Sequence, residues 1–401
     1  MNSRNLFGTV VCAILGLAAS SAAALGRNDP ADDCSLAGNG KDSPPPFSET
    51  MAEQSQSAGC CDVNCCQPDC CPRWTSAADF IIMDRIGGAD RTLVETVPRS
   101  VKFPDLFTTP GTEVLNSNDL QQGFCGGPRL GLIRHDDSGY DLELSYFQIH
   151  GWLGDRTVEP GDPAAWLVMR APGLWLATTV PGGLPGWIQT NQYSLRERVW
   201  EGMAWQYGSE LDNAEFNVRW KPCSRVTVLA GFRWVNLQED LVGALDPPTV
   251  GSEPPFWNTT TTNNLYGFQI GADGKIVERG RFSMDALLKA GIFDDYAEET
   301  TQVSVIHKTV YQASASTNHA AFVGKTALQC KYQVAKGLSL IAGYEVIWLE
   351  GVALAPGQIQ ETYTITRYPI THPYGSVQAL GVNCNSGAFY QGATVGLEYS
   401  F

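Results

Sequence analysis

The sequence predicts an all-β protein, an antiparallel up-and-down transmembrane β-barrel of about ten strands. Three observations lead to this prediction. Apolar and polar side chains alternate with a period of two residues in many segments between residues 74 and 401, as in strands with two different faces. Short connections alternate with long ones, and the chain ends on an alternating segment that finishes with Phe401. Barrels that cross an outer membrane combine these features.

The alternation identifies the candidate strands. In segment 140–149, Tyr140 and Leu142 share one face, and Asp141 and Glu143 share the other. Successive side chains of a strand point to opposite faces, so this segment can place an apolar face against lipid and a polar face in a lumen. Segments with the same pattern are 214–220, 227–234, 266–273, 282–290, 339–348 and 389–401, and weaker ones are 74–85, 128–134 and 318–332.

The connections between these segments predict the orientation of the barrel. Short links are expected at 136–139, 221–224, 277–280 and 334–337, and long loops at 86–125, 151–207, 240–262, 294–317 and 350–387. Short turns of outer-membrane barrels face the periplasm and long loops face outward. An even number of strands then leaves both ends of the barrel on the periplasmic side.

A soluble β-sandwich or a β-helix would also contain alternating strands. Aromatic residues lie near both ends of the long apolar faces, such as Tyr140 with Tyr146 and Phe389 with Tyr399, and such girdles mark the two membrane interfaces of a barrel. The last strand, with Tyr399 and Phe401 on its apolar face, resembles the C-terminal signal that the barrel-insertion machinery reads. We therefore expect outer-membrane lipid and that machinery as partners.

The N-terminal part of the chain predicts export. Arg4 precedes an apolar run over residues 6–19, and the alanines at 22–24 offer a small-residue cleavage site. A membrane anchor is the less favoured alternative, because the run is shorter than the ~20 residues that a spanning helix needs. We expect a cleaved signal peptide at 1–24, a flexible Cys-rich leader at 25–73, and an outer-membrane barrel with long external loops at 74–401.

The leader contains three cysteine pairs at intervals of five residues. In an oxidising envelope they predict disulfides, or cross-links to other envelope proteins or to a second copy of the chain. A metal site is an alternative, although the spacing is not CxxC and no His lies nearby. A tail without either function is the third possibility. The six residues are Cys60, Cys61, Cys65, Cys66, Cys70 and Cys71.

The polar faces of the strands supply the candidate lumen residues. Acids and bases nearly balance there, which suits either a polar channel lining or a lumen closed by mutual ion pairs. About eight strands are just filled by side chains, and open aqueous pores need ~16 to 18, so a ten-stranded lumen should be narrow. The candidates are Asp141, Glu143, Glu215, Arg219, Arg233, Asp285, Lys289, Lys325, Glu345 and Glu398.

Charge and motifs argue against other function classes. The formal net charge is −15 at pH 7, whereas nucleic-acid binding requires clustered Lys and Arg, so we expect no nucleic-acid partner. His307, His319 and His372 fall in or near predicted external loops, but no motif places them within hydrogen-bond reach of an acid, as proton transfer requires. We expect no enzyme activity, no cofactor and no metal.

Several short motifs resemble a known family. They are the opening strand at 74–84, Gly-Gly-Pro-Arg-Leu-Gly at 126–131, Leu-Ala-Gly-Phe-Arg at 229–233, Asn-Asn-Leu-Tyr-Gly-Phe-Gln-Ile-Gly-Ala at 263–272 and Lys-Ala-Gly-Ile at 289–292. Over residues 74–401 the chain resembles the planctomycete outer-membrane β-barrel porins of the BBP7 type. The resemblance implies an outer-membrane barrel and supplies no catalytic motif.

We therefore expect porin-like, passive passage of small solutes through a narrow lumen. A non-conducting structural or adhesive surface barrel is the alternative, in which loops and leader act as contact sites. An outer-membrane rim hydrolase is the third hypothesis.

Overall fold

The computed structural model describes residues 72–101, 110–120, 122–159, 161, 165–170, 175–180, 184–189, 192–194, 202–245, 256–305, 309–359, 377–378 and 381–401. The predicted signal peptide and all but the last two residues of the predicted leader lie outside this part of the chain. The strands are β1 (Trp74–Ile86), β2 (Thr92–Pro98), β3 (Thr112–Asn116), β4 (Phe124–Arg134), β5 (Tyr140–Val158), β6 (Ala165–Arg170), β7 (Trp175–Val180), β8 (Leu184–Gln189), β9 (Gln192–Ser194), β10 (Met203–Cys223), β11 (Val226–Leu245), β12 (Phe256–Arg279), β13 (Phe282–Val305), β14 (Thr309–Ala335), β15 (Leu338–Val352), β16 (Val377–Gln378) and β17 (Ser386–Ser400). Two short 3-10 turns cover Ser117–Asp119 and Ala355–Gln358.

Ten strands form a closed antiparallel barrel in the order β1-β17-β15-β14-β13-β12-β11-β10-β5-β4. The first strand closes it by pairing with β17 on one side and β4 on the other, so Asp79 lies opposite both Gly396 and Arg129. The fold class and the strand number predicted from the sequence are confirmed. All four predicted short connections join neighbouring strands of the barrel.

The first and the last strand of the barrel meet at its short-turn end. The Trp74 backbone N–H donates to the Phe401 carbonyl oxygen at 2.9 Å, and the Phe401 N–H donates back to the Trp74 carbonyl at 2.9 Å. Tyr399 and Phe401 are exposed on the outer face, and their rings stack with centroids 5.7 Å apart. Their predicted role as an insertion signal remains a prediction.

The wall has an apolar outer face and a buried inner face. Phe268 and Ile270 are 78% and 70% exposed, whereas Gln269 between them is 2% exposed. Apolar side chains that point outward from a closed barrel can face lipid, and closure leaves no strand edge unpaired. The alternation read from the sequence therefore corresponds to the two faces of the wall. No helix in the described ranges combines the length and the apolar composition needed to cross a bilayer.

The prediction of external loops is wrong over much of their length, because the strands continue through these segments. The strands β12 and β13 have 24 residues each and β14 has 27, whereas ~10 residues cross a bilayer. Beyond the lipid zone the outer face is polar as well, as in Asn-Thr-Thr-Thr-Thr at 258–262. The apolar alternation therefore ends there while the backbone pairing continues, for example between Thr260 and Thr300.

Parts of the first two predicted loops form small sheets at the long-loop end. One has the order β3-β2-β6-β9 and the other β16-β7-β8. The four-stranded sheet packs apolar side chains such as Leu93 and Leu115 against Trp205 and Trp257 of the barrel strands. This end of the barrel is therefore covered by the chain's own connections.

Candidate functional site in the barrel lumen

The ten predicted lumen residues point into the barrel and lie near one another. Nine border one interior cavity of about 300 Å³ in the half of the lumen nearest the short turns: Asp141, Glu143, Glu215, Arg219, Asp285, Lys289, Lys325, Glu345 and Glu398. The tenth, Arg233, is 1% exposed and is the cross-strand partner of Glu215. Their predicted role along a conducting path remains a prediction.

One side of the cavity is formed by an ion-pair network around Arg129. Its Nε donates to Asp79 Oδ1 at 2.9 Å, and its Nη1 donates to Glu345 Oε2 at 2.5 Å. The same Glu345 oxygen lies 3.1 Å from Lys325 Nζ. Alternation in the sequence places Asp79 and Arg129 on the inward faces of their strands, although neither is among the ten candidates named above.

The opposite side is formed by a second network around Lys289. Its Nζ donates to Glu215 Oε2 at 2.7 Å and to Glu143 Oε1 at 3.2 Å. Glu143 also binds Arg219, whose other Nη lies 3.0 Å from Asp273. Buried ions of this kind persist because each compensates the desolvation of its partner.

The residues nearest the short turns form smaller groups, in which Asp141 also lies 3.0 Å from His135 Nδ1. Lys221 Nζ lies 2.8 Å from Asp141 Oδ2, and Lys331 Nζ lies 2.9 Å from Glu398 Oε2. Asp285 borders the same cavity, and no salt bridge joins it to another residue that the structure describes. The charged half of the lumen is thus largely paired internally, as one of the two sequence hypotheses required.

Toward the long-loop end, the inward face of the strands changes from charged to apolar. On β1, Asp79 is followed two residues later by buried Ile81, and on β15, Glu345 is followed by buried Ile347. Together the inward apolar residues form one cluster, here named the apolar seal: Ile81, Met83, Phe147, Ile149, Trp152, Leu211, Val235, Leu237, Leu265, Phe293, Ala321, Val323, Ile347, Leu349, Ala388 and Tyr390.

A β-bulge adds the largest residue of the seal. The β5–β10 register shifts between Ser209 and Leu211, and Gly151 opposite this point has φ 97°, a conformation that glycine adopts readily. The extra residue lets both Ile149 and Trp152 point inward, although three positions separate them. The Trp152 indole then donates from Nε1 to a buried backbone carbonyl at 3.1 Å.

Sequence reasoning missed the seal, although a signal existed. Segment 140–149 places Phe147 and Ile149 on the same face as Asp141 and Glu143. The charged positions of this face end at Glu143, and its continuation at Phe147 and Ile149 is apolar.

The chain after β15 turns back into the lumen above the seal. Residues 352–359 are all buried, and we name them the inward segment. The Asn263 side chain makes two hydrogen bonds to the backbone of Ala353 in this segment. Its Nδ2 donates to the Ala353 carbonyl at 2.8 Å, and its Oδ1 accepts from the Ala353 N–H at 2.7 Å. Glu239 Oε2 accepts from the Ala355 N–H at 3.0 Å.

Further buried polar groups hold these anchors in place. Glu239 forms an ion pair with Arg85 and accepts from the Tyr207 hydroxyl at 2.8 Å. Within the inward segment, Gln358 accepts from the Asn383 N–H at 2.9 Å and donates to the Asn383 carbonyl at 3.0 Å. The inward segment is therefore fixed by specific hydrogen bonds as well as by apolar contact.

Of the three histidines behind the hydrolase hypothesis, the structure describes one. His319, predicted on a loop, lies on β14 as the cross-strand partner of Asp295 on β13. The Nε2 of His319 and both carboxylate oxygens of Asp295 have no hydrogen-bond partner among the described residues. His307 and His372 lie outside those residues.

The cysteine and metal predictions concern mostly other parts of the chain. The six paired cysteines of the leader, Cys60 to Cys71, lie outside the described residues. Among the described cysteines, Cys125, Cys330 and Cys384 form no disulfide with a described residue. Burial, with a smaller contribution from Asp295, raises the pKa of the Cys384 thiol to about 11. No cluster of metal-ligating side chains occurs within the described ranges.

Comparison with solved structures finds distant similarity to outer-membrane barrels. The outer membrane protease OmpT from Escherichia coli is 10% identical, with a TM-score of 0.39, covering 82% of this chain and 97% of that chain. The toluene transporter TbuX from Ralstonia pickettii is 8% identical, with a TM-score of 0.31, covering 82% and 90%. The toluene transporter TodX from P. putida is 10% identical, with a TM-score of 0.26, covering 84% and 91%. Likeness at this level carries no argument about function.

Comparison with curated protein sequences finds no match. The family described as "Putative beta barrel porin-7" (BBP7) matches residues 203–401, from β10 to the end of the chain. The match confirms the family resemblance seen in the sequence motifs, while the planctomycete origin remains a prediction. An outer-membrane β-barrel with a porin-like fold is consistent with both the match and the closed barrel.

Proposed function

We propose that this barrel passes small polar solutes across the outer membrane through a gated lumen, and that the conformation described here is its closed state. The match of residues 203–401 to a porin family supports passage. The apolar seal supports closure, because its members are buried side chains that pack against one another next to the charged cavity.

The single observation that carries the proposal is the division of the lumen. One half contains a cavity of about 300 Å³ bordered by charged side chains, as a solute path requires. Next to it, toward the long loops, the lumen is filled by apolar side chains such as Met83 and Leu349, each fully buried. A ten-stranded barrel is narrow enough for side chains to fill it in this way.

The inward segment is the element whose displacement would open the lumen. Its Val352 and Leu354 pack into the same apolar cluster as the seal, so its withdrawal would remove packing from the centre of the barrel. A few side-chain anchors hold it, chiefly Asn263 and Glu239. The wall strands, in contrast, are held by continuous backbone pairing.

A non-conducting structural barrel is the second candidate. It is favoured by the fact that every residue of the seal lies on a wall strand and none on the inward segment. In that case the external sheets and the leader would provide contact surfaces for other envelope proteins.

We further infer that the protein is not an enzyme and that it resides in the outer membrane after cleavage of its signal peptide. The porin family match supports the first inference, and the apolar outer face supports the second. The Cys-rich leader would lie on the periplasmic side, where it could cross-link to neighbouring envelope proteins.

Single-channel recording in planar bilayers tests the proposal. We expect the purified protein to be mostly closed, with rare openings. The double variant Asn263→Ala/Glu239→Gln, which removes the anchors of the inward segment, should increase the open probability. Asn318→Ala, at an exposed position of β14, serves as the matched control and should leave the recordings unchanged. A steadily open native channel would contradict the closed state, and silence in every variant would support the structural barrel.

A further inference from the structure

A buried carboxylate lies beside the inward segment without a partner. Asp295 on β13 is 0% exposed. Neither of its carboxylate oxygens accepts a hydrogen bond from any residue that the structure describes. A carboxylate in this position is costly when it is charged, because no donor replaces the water that burial removes.

Asp295 lies beyond the lipid zone, toward the long-loop end of the barrel. On the outer face of the same strand, Ile292 is 73% exposed, as a side chain that faces lipid would be. Asp294, the next residue on that face, is an exposed charge. An outward charge marks the end of the apolar band of a barrel, so Asp295 lies above that band.

The inward segment packs next to this carboxylate. Ala353 of the segment forms one buried cluster with Ala297 and Cys384. Ala297 follows Asp295 on the inward face of β13. Asp295 lies close enough to Cys384 for its charge to add to the effect of burial on the pKa of that thiol. Displacement of the inward segment would therefore admit water beside Asp295.

Few titratable groups face Asp295 from the elements around it. Asp294 is its neighbour on β13 and carries the same charge. His319 is its cross-strand partner on β14, but His319 Nε2 is also without a hydrogen-bond partner in the described part of the chain. Cys384 faces it from the segment before β17, and Leu265 lies opposite on β12. The inward segment contains no titratable side chain. No Lys or Arg of the described ranges donates to the Asp295 carboxylate.

A second buried carboxylate lies further along β13, and it has a partner. Glu299 is 6% exposed, and its Oε1 accepts from the Thr301 hydroxyl at 2.7 Å. It lies opposite Thr261 of β12, two inward positions beyond Asp295. Because this hydrogen bond partly compensates its charge, we assign the response to pH to Asp295.

These surroundings determine the protonation of Asp295. Burial, together with the neighbouring Asp294, raises the pKa of the Asp295 carboxyl to about 7. Once water reaches the group, its pKa returns toward the ordinary value of about 4. The docked conformation therefore binds the proton more tightly than a displaced one. Its extra stability is complete below the ordinary pKa and is lost as the pH rises through the raised pKa.

We propose that ionisation of Asp295 releases the inward segment: the segment stays docked above the seal while Asp295 is neutral and is displaced when Asp295 becomes charged. Both carboxylate oxygens are shut off from solvent in the docked conformation, which leaves no room for a solute and makes the proton the species that neutralises them. The inference rests on the proposed function in that it adds the regulation of the same gate. The lumen would be closed at acidic pH and would open as the pH rises.

Hydrogen exchange of residues 352–359 in the full-length protein in detergent micelles tests the proposal. The protection factor compares the measured rate with the rate of an unstructured chain at the same pH, so it removes the direct effect of pH on exchange. We expect protection in the native protein to fall by about tenfold to a hundredfold between about pH 5 and pH 8. Equal protection at both pH values would overturn the proposal.

Variants test the assigned residue. Asp295→Asn keeps the size of the side chain and cannot ionise, so it should retain at the higher pH the protection that it has at the lower one. Glu298→Gln removes an exposed carboxylate from the outer face of the same strand; it is the matched control and should lose protection as the native protein does. Heat-modifiable gel migration checks that each barrel is folded, and Asp295→Ser is the second neutral variant if the first fails to fold. A pH dependence that persists in the neutral variant would assign the response to another group, such as His319, and overturn the proposal.

This experiment is independent of conduction. Loss of protection at the higher pH in a barrel that never conducts would contradict the proposed passage and support the switch. Conduction by a protein whose protection does not depend on pH would contradict only the switch.

Discussion

The two halves of the lumen are both buried, yet they are stabilised by opposite means. The half near the short turns contains charged side chains that compensate one another, as Arg129 does with Asp79 and Glu345. The half near the long loops contains apolar side chains in direct contact. Both arrangements fill a narrow barrel, but the charged cavity of about 300 Å³ lies in the first. The comparison supports the proposal that solute enters the charged half and that the apolar half is the barrier.

The largest effect is expected where a shared ion partner is removed from the charged half. Glu345→Ala would leave Arg129 and Lys325 buried without their common acceptor, and should lower the free energy of unfolding by about 3–5 kcal/mol. Urea unfolding in lipid vesicles measures this. Glu398→Ala is the control, because its pair with Lys331 is partly exposed, and should cost about 1 kcal/mol or less. Equal losses would refute a distinction between inner and outer ion pairs.

The apolar half should respond through packing. Leu349→Ala removes a fully buried member of the seal and should cost about 2–5 kcal/mol by the same unfolding measurement, because a cavity is left behind. Leu340→Ala on the same strand removes a side chain that points outward, and should cost about 1 kcal/mol or less. If the two substitutions were equivalent, the seal would not be close-packed.

A smaller effect is expected at the anchors above the seal. Asn263→Ala removes both hydrogen bonds to Ala353 and should weaken the hold on the inward segment by about 1–3 kcal/mol. Hydrogen exchange of residues 352–359 should become faster while the exchange of β14 is unchanged. Unaltered protection of residues 352–359 would show that apolar contact alone holds them.

The smallest effect is expected outside the lumen, in the turn between β4 and β5. A hydrogen bond from the Ser138 hydroxyl to the exposed Asp136 carboxylate, at 2.5 Å, lowers the pKa of Asp136 below its ordinary value. Its small stabilising contribution is present at neutral pH and is lost as the pH falls through the lowered pKa. Ser138→Ala should raise that pKa in an NMR titration and leave barrel stability unchanged. No change in the pKa would eliminate the hydrogen bond as its cause.

The sequence was most informative where one face of a strand meets lipid. Period-two alternation located all ten barrel strands, because positions such as Phe268 and Gln269 face lipid and lumen in turn. It failed beyond the lipid zone, where both faces are polar and Thr260 differs little from its neighbours. Strand length there depends on backbone pairing, which leaves no compositional signal.

The candidate site was accessible to sequence reasoning only in part. Charged residues at alternate positions identified one lining of the lumen, including Glu215 and Lys289. The partners of each charge could not be predicted, because they come from strands distant in sequence, as Arg129 and Glu345 do. The inward segment has no periodicity, and its main anchor, Asn263, is one of many polar residues in β12. Contacts between residues distant in sequence determine both the position of the inward segment and the role of Asn263.

The central claim is that the apolar seal divides the lumen, and thiol accessibility tests it most directly. Ala321 and Ala327 both point inward from β14, but Ala321 belongs to the seal and Ala327 borders the charged cavity. Each would be changed to Cys in a background without the native cysteines of the barrel, and exposed to a small cationic methanethiosulfonate reagent. We expect Cys at 327 to react rapidly and Cys at 321 to stay unmodified. Reaction of both positions at similar rates would contradict a closed lumen.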